Sequence, residues 1–359
     1  MARLRRADCA GPGIRRRRRG KGFEYLDEAG RRVAEPTVVE RIRELAIPPA
    51  WEDVWICPFP NGHIQATGTD AAGRKQYRYH DHWRERRDRE KFEEMESFAR
   101  ALPRLRRQVE RDLAREGMPR DKVLAAATRL LDRGFFRIGS EDYAEENDTY
   151  GLATMQKRHV TVSGNEICFD YEAKGGQRRV QSFGDPELAE ILAQLKRRRG
   201  GGEELLAYKE RGRWRDVRSA DINAYVKEAT GGNYSAKDFR TWSGTVLAAV
   251  ALAVSGPAAG KQTSRKRAKV RAVNEVARYL GNTPAVARSS YIDPRIFDRF
   301  DGGLTIGGAL PELAEDSSAW PDVQRAVEEA VLDLIDRDLR SDAVERAGEL
   351  AEEVAEVAA

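Results

Sequence analysis

The feature that most constrains this chain is a helix stop set directly against a helix start, at Gly281-Asn282-Thr283-Pro284. Upstream, Val273-Asn274-Glu275-Val276-Ala277-Arg278-Tyr279-Leu280 carries apolar residues at helical spacing, and Gly281 stands where a left-handed glycine ends a helix. Downstream, Thr283 is a capping residue and Pro284 suits a first helical turn. A second short helix therefore runs through Ala285-Val286-Ala287-Arg288-Ser289-Ser290 and delivers Tyr291 near its end. Two helices meeting in this way would hold the Asn282 amide and the Tyr291 hydroxyl on neighbouring walls of one cavity. A tyrosine on an amphipathic helix is most often a packing residue, so a chemical role requires partners.

The partners that the sequence offers are cations. In Gly134-Phe135-Phe136-Arg137-Ile138-Gly139-Ser140, followed by Glu146-Asn147-Asp148-Thr149-Tyr150-Gly151-Leu152, an arginine follows an apolar helix end and Gly139 permits a tight backbone path. In Ser235-Ala236-Lys237-Asp238-Phe239-Arg240-Thr241-Trp242, the Ser235/Asp238 spacing is that of a capping box, which puts Arg240 in an early helical turn. In Tyr171-Glu172-Ala173-Lys174-Gly175-Gly176-Gln177, a glycine-rich hairpin tip joins two strand-like runs, and Lys174 is expected to ride on a mobile loop.

Two arginines, a lysine and a tyrosine are chemically coherent if the substrate is a phosphodiester. A tyrosine oxygen attacking phosphorus builds negative charge on the non-bridging oxygens, and fixed guanidinium groups such as Arg137 and Arg240 stabilise it. The departing sugar oxygen needs a proton, which an ammonium such as Lys174 supplies as general acid. A phenol is mostly neutral at pH 7, so the nucleophile must also lose its proton, and the sequence does not identify the acceptor.

These segments resemble the type IB DNA topoisomerases, particularly the small poxvirus-like enzymes and their bacterial relatives, over roughly residues 20 to 300. The resemblance implies that Tyr291 is the nucleophile and that Arg137, Lys174 and Arg240 are the transition-state cations. Viral and eukaryotic members have a histidine where this chain has Asn282, whose amide can donate to a non-bridging oxygen but cannot carry charge. The implied reaction is cleavage of one strand through a 3′-phosphotyrosyl intermediate, swivelling and religation, relaxing supercoils of both signs. Neither ATP nor metal is expected, because exchanging one phosphodiester for another conserves the bond energy. The alternatives are a tyrosine recombinase, whose second arginine usually lies in a His-x-x-Arg motif where this chain reads Lys237-Asp238-Phe239-Arg240, and a non-enzymatic architectural DNA-binding protein.

Charge is distributed as a DNA enzyme requires, although the total of +4 hides it. Residues 309–359 hold 15 acidic against 4 basic side chains, a net of −11, which leaves +15 on residues 1–308. Met1 to Gly22 carries nine cations, including Arg15 to Arg19, and reads as a phosphate-binding flexible arm. Lys261 to Arg271 adds six more, with Lys261 and Lys266 as candidate DNA contacts. No segment has the length and apolarity of a secretory signal or membrane span, so a cytoplasmic, nucleoid-associated monomer is expected. Cys9, Cys57 and Cys168 form neither a disulfide framework nor a zinc spacing, and His80-Asp81-His82 is the one metal-like cluster. Ser255 to Thr263 lacks the spacing and the hydroxyl of an ATP-binding phosphate loop.

The expected fold class is α+β: a small β-rich N-terminal domain and a mainly helical catalytic domain of the tyrosine recombinase/type IB topoisomerase kind with a three-stranded sheet. The boundaries are a basic arm over 1–22, a DNA-clamping domain over 23–92, a catalytic domain over 93–308 and an acidic helical tail over 309–359. Strands are expected at Phe23 to Leu26, Arg31 to Val33, Val54 to Pro58, His63 to Thr67 and Lys75 to His80, with a helix from Pro36. A charged helix from Trp83 to Phe98 leads to helices interrupted by strands at Arg158 to Val162, Glu166 to Glu172 and Arg178 to Ser182. In Lys75-Gln76-Tyr77-Arg78-Tyr79-His80, Gln76, Arg78 and His80 share one strand face and Lys75, Tyr77 and Tyr79 the other. The pattern alone also fits tyrosines packed on the Pro36 helix. The resemblance implies that Gln76 reads base edges, with Tyr77, Arg78 and Tyr79 touching the duplex beside it, and that the two lobes close around DNA.

Overall fold

The computed structural model describes residues 3–141, 144, 147–255, 262–311 and 320–346. The chain forms two compact units, Met1–Glu93 and Glu94–Ala359, and the division falls inside the long helix Asp81–Leu113.

The first unit is a five-stranded antiparallel sheet in the order β2-β1-β3-β4-β5, made by Ile14–Arg19 (β1), Gly22–Leu26 (β2), Glu52–Ile56 (β3), Ile64–Thr69 (β4) and Lys75–Tyr79 (β5). Helix α1, Pro36–Glu44, contributes Ile42 to a core with Ile14, Val54, Ile56 and Ala66. The arginine run is thus an interior strand of the sheet, which corrects the expectation of a flexible arm over its whole length. Strand pairing gives the run cross-strand partners: Arg17 donates to Glu24 directly opposite (2.7 Å), and Arg16 lies over the Phe23 ring (4.2 Å) while donating to the Ile47, Pro48 and Trp51 carbonyls. Gly20, at φ +57, makes the two-residue turn between β1 and β2. The expected Asp27 to Gly30 turn is present, and Arg31 to Val33 returns along the outer edge of β2 through a single bridge, Arg32 with Leu26, flanked by the bonds Asp27 N to Arg31 O and Val33 N to Tyr25 O (both 2.8 Å), too short a pairing to form a full strand.

The second unit is mainly helical. Its helices include α2 (Asp81–Leu113), α3 (Arg120–Gly134), α4 (Pro186–Arg197), α5 (Ser219–Thr230), α6 (Ala236–Ser255), α7 (Gln262–Leu280), α8 (Pro284–Ser290), α9 (Pro294–Asp301) and α10 (Trp320–Asp336). One antiparallel sheet, β6-β7-β8, is built from Val160–Ser163, Glu166–Ala173 and Gln177–Gly184. Ile167, Phe169, Tyr171 and Ala173 of β7 point inward by strict alternation, and α4 packs on β6 and β7. A hairpin of Ala207–Glu210 (β9) and Arg213–Asp216 (β10) was not anticipated from the sequence; its charged, outward residues carry no apolar alternation to announce it. In the acidic C-terminal stretch, α10 is packed and not solvated: Val327, Ala330, Val331, Leu334 and Ile335 are buried against the helices beneath. The expected helical tail does not continue over 337–346, where Glu345–Arg346 (β12) pairs with Leu304–Thr305 (β11).

Candidate active site

Four elements of the second unit converge on the C-terminal turn of α7. Gly281, at φ +58, closes that helix with a Schellman motif: Asn282 N donates to Ala277 O (2.9 Å) and Gly281 N to Arg278 O (3.2 Å). Thr283 then caps α8 by accepting from Val286 N, and Pro284 occupies its first turn. The stop and start read from the sequence are both present, and they fix Asn282 at the junction.

A helix end leaves its last carbonyls without intrahelical donors, and here arginines fill the gap. Arg179 of β8 donates to Arg278 O (2.9 Å) and Tyr279 O (2.6 Å), Arg240 to Leu280 O (2.8 Å), and Arg137 to Gly281 O (2.8 Å). Four successive carbonyls are thereby held by three guanidinium groups. Among the described residues none of the three is ion-paired to a carboxylate, so their charge is placed without being neutralised.

Each arginine is delivered by local structure. Helix α3 ends in a left-handed Phe135 (φ +55), and Phe136 turns into the core against Phe169 and Tyr171, which sends Arg137 the other way. The Arg137 segment is clamped by Leu152 N to Arg137 O (2.8 Å) and Ala153 N to Ile138 O (2.7 Å). Those bonds need bare backbone at Gly139 and Gly151, since a Cβ on Gly151 would lie 2.5 Å from Gly139 Cα. Asp238 reaches back to Ser235 N (2.7 Å) to open α6, the Asp238 half of the expected box, while the Ser235 hydroxyl donates to the same carboxylate. Arg240, only 4% exposed, follows in the next turn and also donates to Phe135 O (2.5 Å).

Tyr291 sits at the C-cap of α8, half-buried, with the Arg240 guanidinium 5.2 Å from its ring centroid. Its backbone lies on α6 at Gly244, where a Cβ would come within 2.5 Å of Tyr291 O. The Thr245 hydroxyl accepts from Asp293 N (3.1 Å) and lies 3.5 Å from Tyr291 O. Burial pushes the Arg240 guanidinium down to about 10; Arg137 beside it acts in the same direction, and Tyr291 partly offsets both. Arg240 therefore remains charged at neutral pH.

Within this cluster, two buried donors, Arg240 Nε and Asn282 Nδ2, have no partner among the described residues. The second follows from the contact that Asn282 makes with Arg137. Arg137 Nη2 donates to Asn282 Oδ1 (2.5 Å), and because a guanidinium only donates, the amide must turn its oxygen to Arg137 and its NH2 away. Unsatisfied buried donors beside three unpaired cations are suited to the oxygens of a phosphate group.

The structure joins Arg137, Arg240, Asn282 and Tyr291 in one cluster. Lys174 stands exposed at the β7–β8 tip, where Gly175 (φ +83) and Gly176 (φ +69) form the turn and Gly176 N closes on Ala173 O (3.0 Å). Lys266 is exposed on α7, and Lys261 lies outside the described residues. Sequence reasoning missed Arg179 and the buried Tyr171, whose phenol is pushed up by burial and drawn back by Arg179, Arg240 and Arg137, with Arg179 in hydrogen-bonding reach. Tyr171 and Arg179 are directly paired across β7 and β8, so pairing Ala173 with Gln177 and counting back along the alternation would have placed both on the inward face.

In the first unit, Gln76, Tyr77, Arg78 and Tyr79 lie on β5, an edge strand. Tyr77 and Tyr79 are 44% and 37% exposed with their rings stacked 6.0 Å apart, which excludes packing on α1. Gln76 and Arg78 are half-buried, and Gln76 Nε2 donates to Asp70 Oδ2 (2.9 Å). The His80 and His82 rings lie 5.1 Å apart at a tilt of 56°, and no metal-binding group of three side chains occurs among the described residues. Nor is any described helix long and apolar enough to cross a membrane.

Comparison with known proteins agrees with this geometry. The profile of the eukaryotic DNA topoisomerase I catalytic core matches residues 80–299, which contain the whole cluster, and that of the bacterial DNA topoisomerase IB N-terminal domain matches residues 22–70. DNA topoisomerase 1B of Acanthamoeba polyphaga mimivirus is 31% identical over 297 residues, covering 78% of this chain and 85% of the viral protein. DNA topoisomerase 1B of Vaccinia virus (strain Copenhagen) is 24% identical over 30% of this chain and 34% of its own length, and DNA topoisomerase 1 of Daucus carota is 28% identical over 35% and 15%. With a catalytic-core profile spanning more than half of its length and a 31% identical relative matched over 78% of this chain, the chain belongs to the type IB DNA topoisomerase family.

Proposed function

We propose that this chain relaxes supercoiled duplex DNA of either sign by breaking and resealing one strand, with Tyr291 as nucleophile. Tyr291 Oη attacks phosphorus and releases its proton to water, the bond from phosphorus to the 5′ oxygen breaks, and Lys174 gives that oxygen a proton. The strand stays on the enzyme as a 3′-phosphotyrosyl ester while the free 5′ end swivels, and religation runs the same steps backwards. Arg137 and Arg240 stabilise the charge on the non-bridging oxygens, and Asn282 Nδ2 donates to one of them as a neutral substitute for an imidazole. The observation that carries this reading is the pair of unpartnered buried donors, Arg240 Nε and Asn282 Nδ2, next to cations with no carboxylate partner among the described residues.

In this reading β5 presents Gln76, Tyr77, Arg78 and Tyr79 to the duplex, residues 93–308 form the catalytic domain, and the protein acts as a monomer of the poxvirus-like and bacterial subgroup in the cytoplasm. The reaction needs neither ATP nor metal, since each transesterification trades one phosphodiester for another. The test is relaxation of plasmid in EDTA without ATP by wild type and Tyr291→Phe, together with mapping of the covalent adduct. Activity in the wild type alone with an adduct on the 3′ phosphate supports the proposal; a folded wild type that binds DNA and forms no adduct refutes it.

A further inference from the structure

Arg179 has a place in the site that the reaction above does not use. Its guanidinium holds Arg278 O and Tyr279 O, the two carbonyls immediately before those held by Arg240 and Arg137. A Cβ added to Gly281 would lie 3.0 Å from Arg179 Nη1, so the guanidinium also walls the turn that aims Asn282. On its other side Arg179 faces the buried Tyr171, and it stands on β8 five residues beyond Lys174. One side chain therefore connects the strand behind the Lys174 tip to the turn that carries Asn282.

We propose that Arg179 is a positioning residue for strand cleavage, fixing the α7 terminal turn relative to the β7–β8 hairpin so that Asn282 and Lys174 are set from opposite ends of one contact. The inference rests on the cleavage reaction proposed above. Arg179 has its short bonds on backbone carbonyls, with a longer one to Gln181 Oε1 (3.4 Å) on its own strand, and acts through the turn, leaving DNA binding to other groups. Tyr171 backs the guanidinium from the β7 side.

Three measurements test this. Single-turnover cleavage of a suicide duplex should slow roughly 10- to 100-fold in Arg179→Ala, the scale expected for misplacing a catalytic group by about an ångström. Duplex Kd should stay within about two-fold of wild type, Arg179→Lys should recover most of the rate, and millimolar guanidinium should partly rescue Arg179→Ala. Without DNA, amide exchange at Gly281 and Asn282 should accelerate in Arg179→Ala while the interior of α7 stays protected. Wild-type cleavage by Arg179→Ala, a rate loss matched by an equal loss of duplex affinity, or faster exchange throughout the unit would each overturn the inference. A wild type that forms no adduct would refute the proposed reaction alone, and the exchange measurement would still decide the role of Arg179 in the turn.

Discussion

Arg137 and Asn282 orient each other: the guanidinium holds the amide oxygen at 2.5 Å and the carbonyl of Gly281 at 2.8 Å, which turns Asn282 Nδ2 into the site as an unpartnered donor. This orientation separates three substitutions at one position. Asn282→Ala removes the donor and should slow cleavage and religation by roughly 10-fold or more, the scale of a hydrogen bond to a charged group. Asn282→Asp keeps the bond to Arg137 but replaces the NH2 with an anionic oxygen, so it should be slower than alanine, and Asn282→His should restore or exceed the wild-type rate. Rapid-quench cleavage and religation of one suicide duplex provides the ranking. An aspartate variant faster than alanine would contradict the assigned orientation.

Gly244 is the point where α6 admits the backbone of Tyr291. Gly244→Ala places a methyl group 2.5 Å from Tyr291 O, too close without movement, and overpacking of this kind costs about 1–3 kcal/mol. The variant should melt a few degrees lower and lose adduct formation out of proportion to its stability. Denaturation curves compared with single-turnover rates on folded protein measure the two effects separately.

The uncompensated cations make the site a stabilising anion receptor. Arg240 falls from the ordinary guanidinium range to about 10 on folding, so above about pH 10 the unfolded chain holds the proton more tightly and stability rises with pH until the unfolded guanidinium also titrates. At neutral pH the folded site bears the cost of the buried charge. An inorganic polyanion such as pyrophosphate should relieve it, adding roughly 1.4 kcal/mol at ten times its Kd. A thermal shift of a few degrees is expected in wild type and a smaller one in Arg137→Ala; equal shifts would place the anion elsewhere.

The C-terminal helix should matter for stability through a single fork. Arg106 donates to both oxygens of Asp132 and both of Glu328, all at 2.7–2.9 Å, and Glu328 is only 8% exposed. Burial pushes the Glu328 carboxyl up, whereas Arg106, opposed by burial, is pushed up further by Asp132 and Glu328; the four short bonds favour the ionised pair. Glu328→Ala should destabilise the second unit by about 3 kcal/mol, toward the lower end for a broken buried pair because Asp132 remains. Chemical denaturation of the full chain checks this, and an effect below about 1 kcal/mol would mean that α10 is held by its apolar face alone.

The sequence was most readable where local chemistry decides conformation. Gly281, Thr283 and Pro284 act within a turn of one another, so the junction that aims Asn282 follows from those residues alone. The inward face of β7 follows in the same way from alternation at Ile167, Phe169, Tyr171 and Ala173. Arg15 to Arg19 was misread because composition carries no information about pairing: an isolated arginine run is a solvated arm, and only Glu24, Phe23 and three distant carbonyls make it a strand. Arg179 escaped notice for a related reason, since its partners are carbonyls about a hundred residues away, and a backbone oxygen looks the same in every residue.

That last point reaches beyond Arg179. The four carbonyls that seat the arginines belong to Arg278, Tyr279, Leu280 and Gly281, and the first two contribute nothing else to that grip. Substitutions at Arg278 or Tyr279 should therefore be tolerated as long as the helix continues, whereas a single residue unable to adopt the left-handed conformation of Gly281 would unseat several charged groups together. The catalytic architecture is written largely in main-chain conformation, so a substitution tolerance map would look permissive at Arg278 and Tyr279 and restrictive at the glycine that ends their helix.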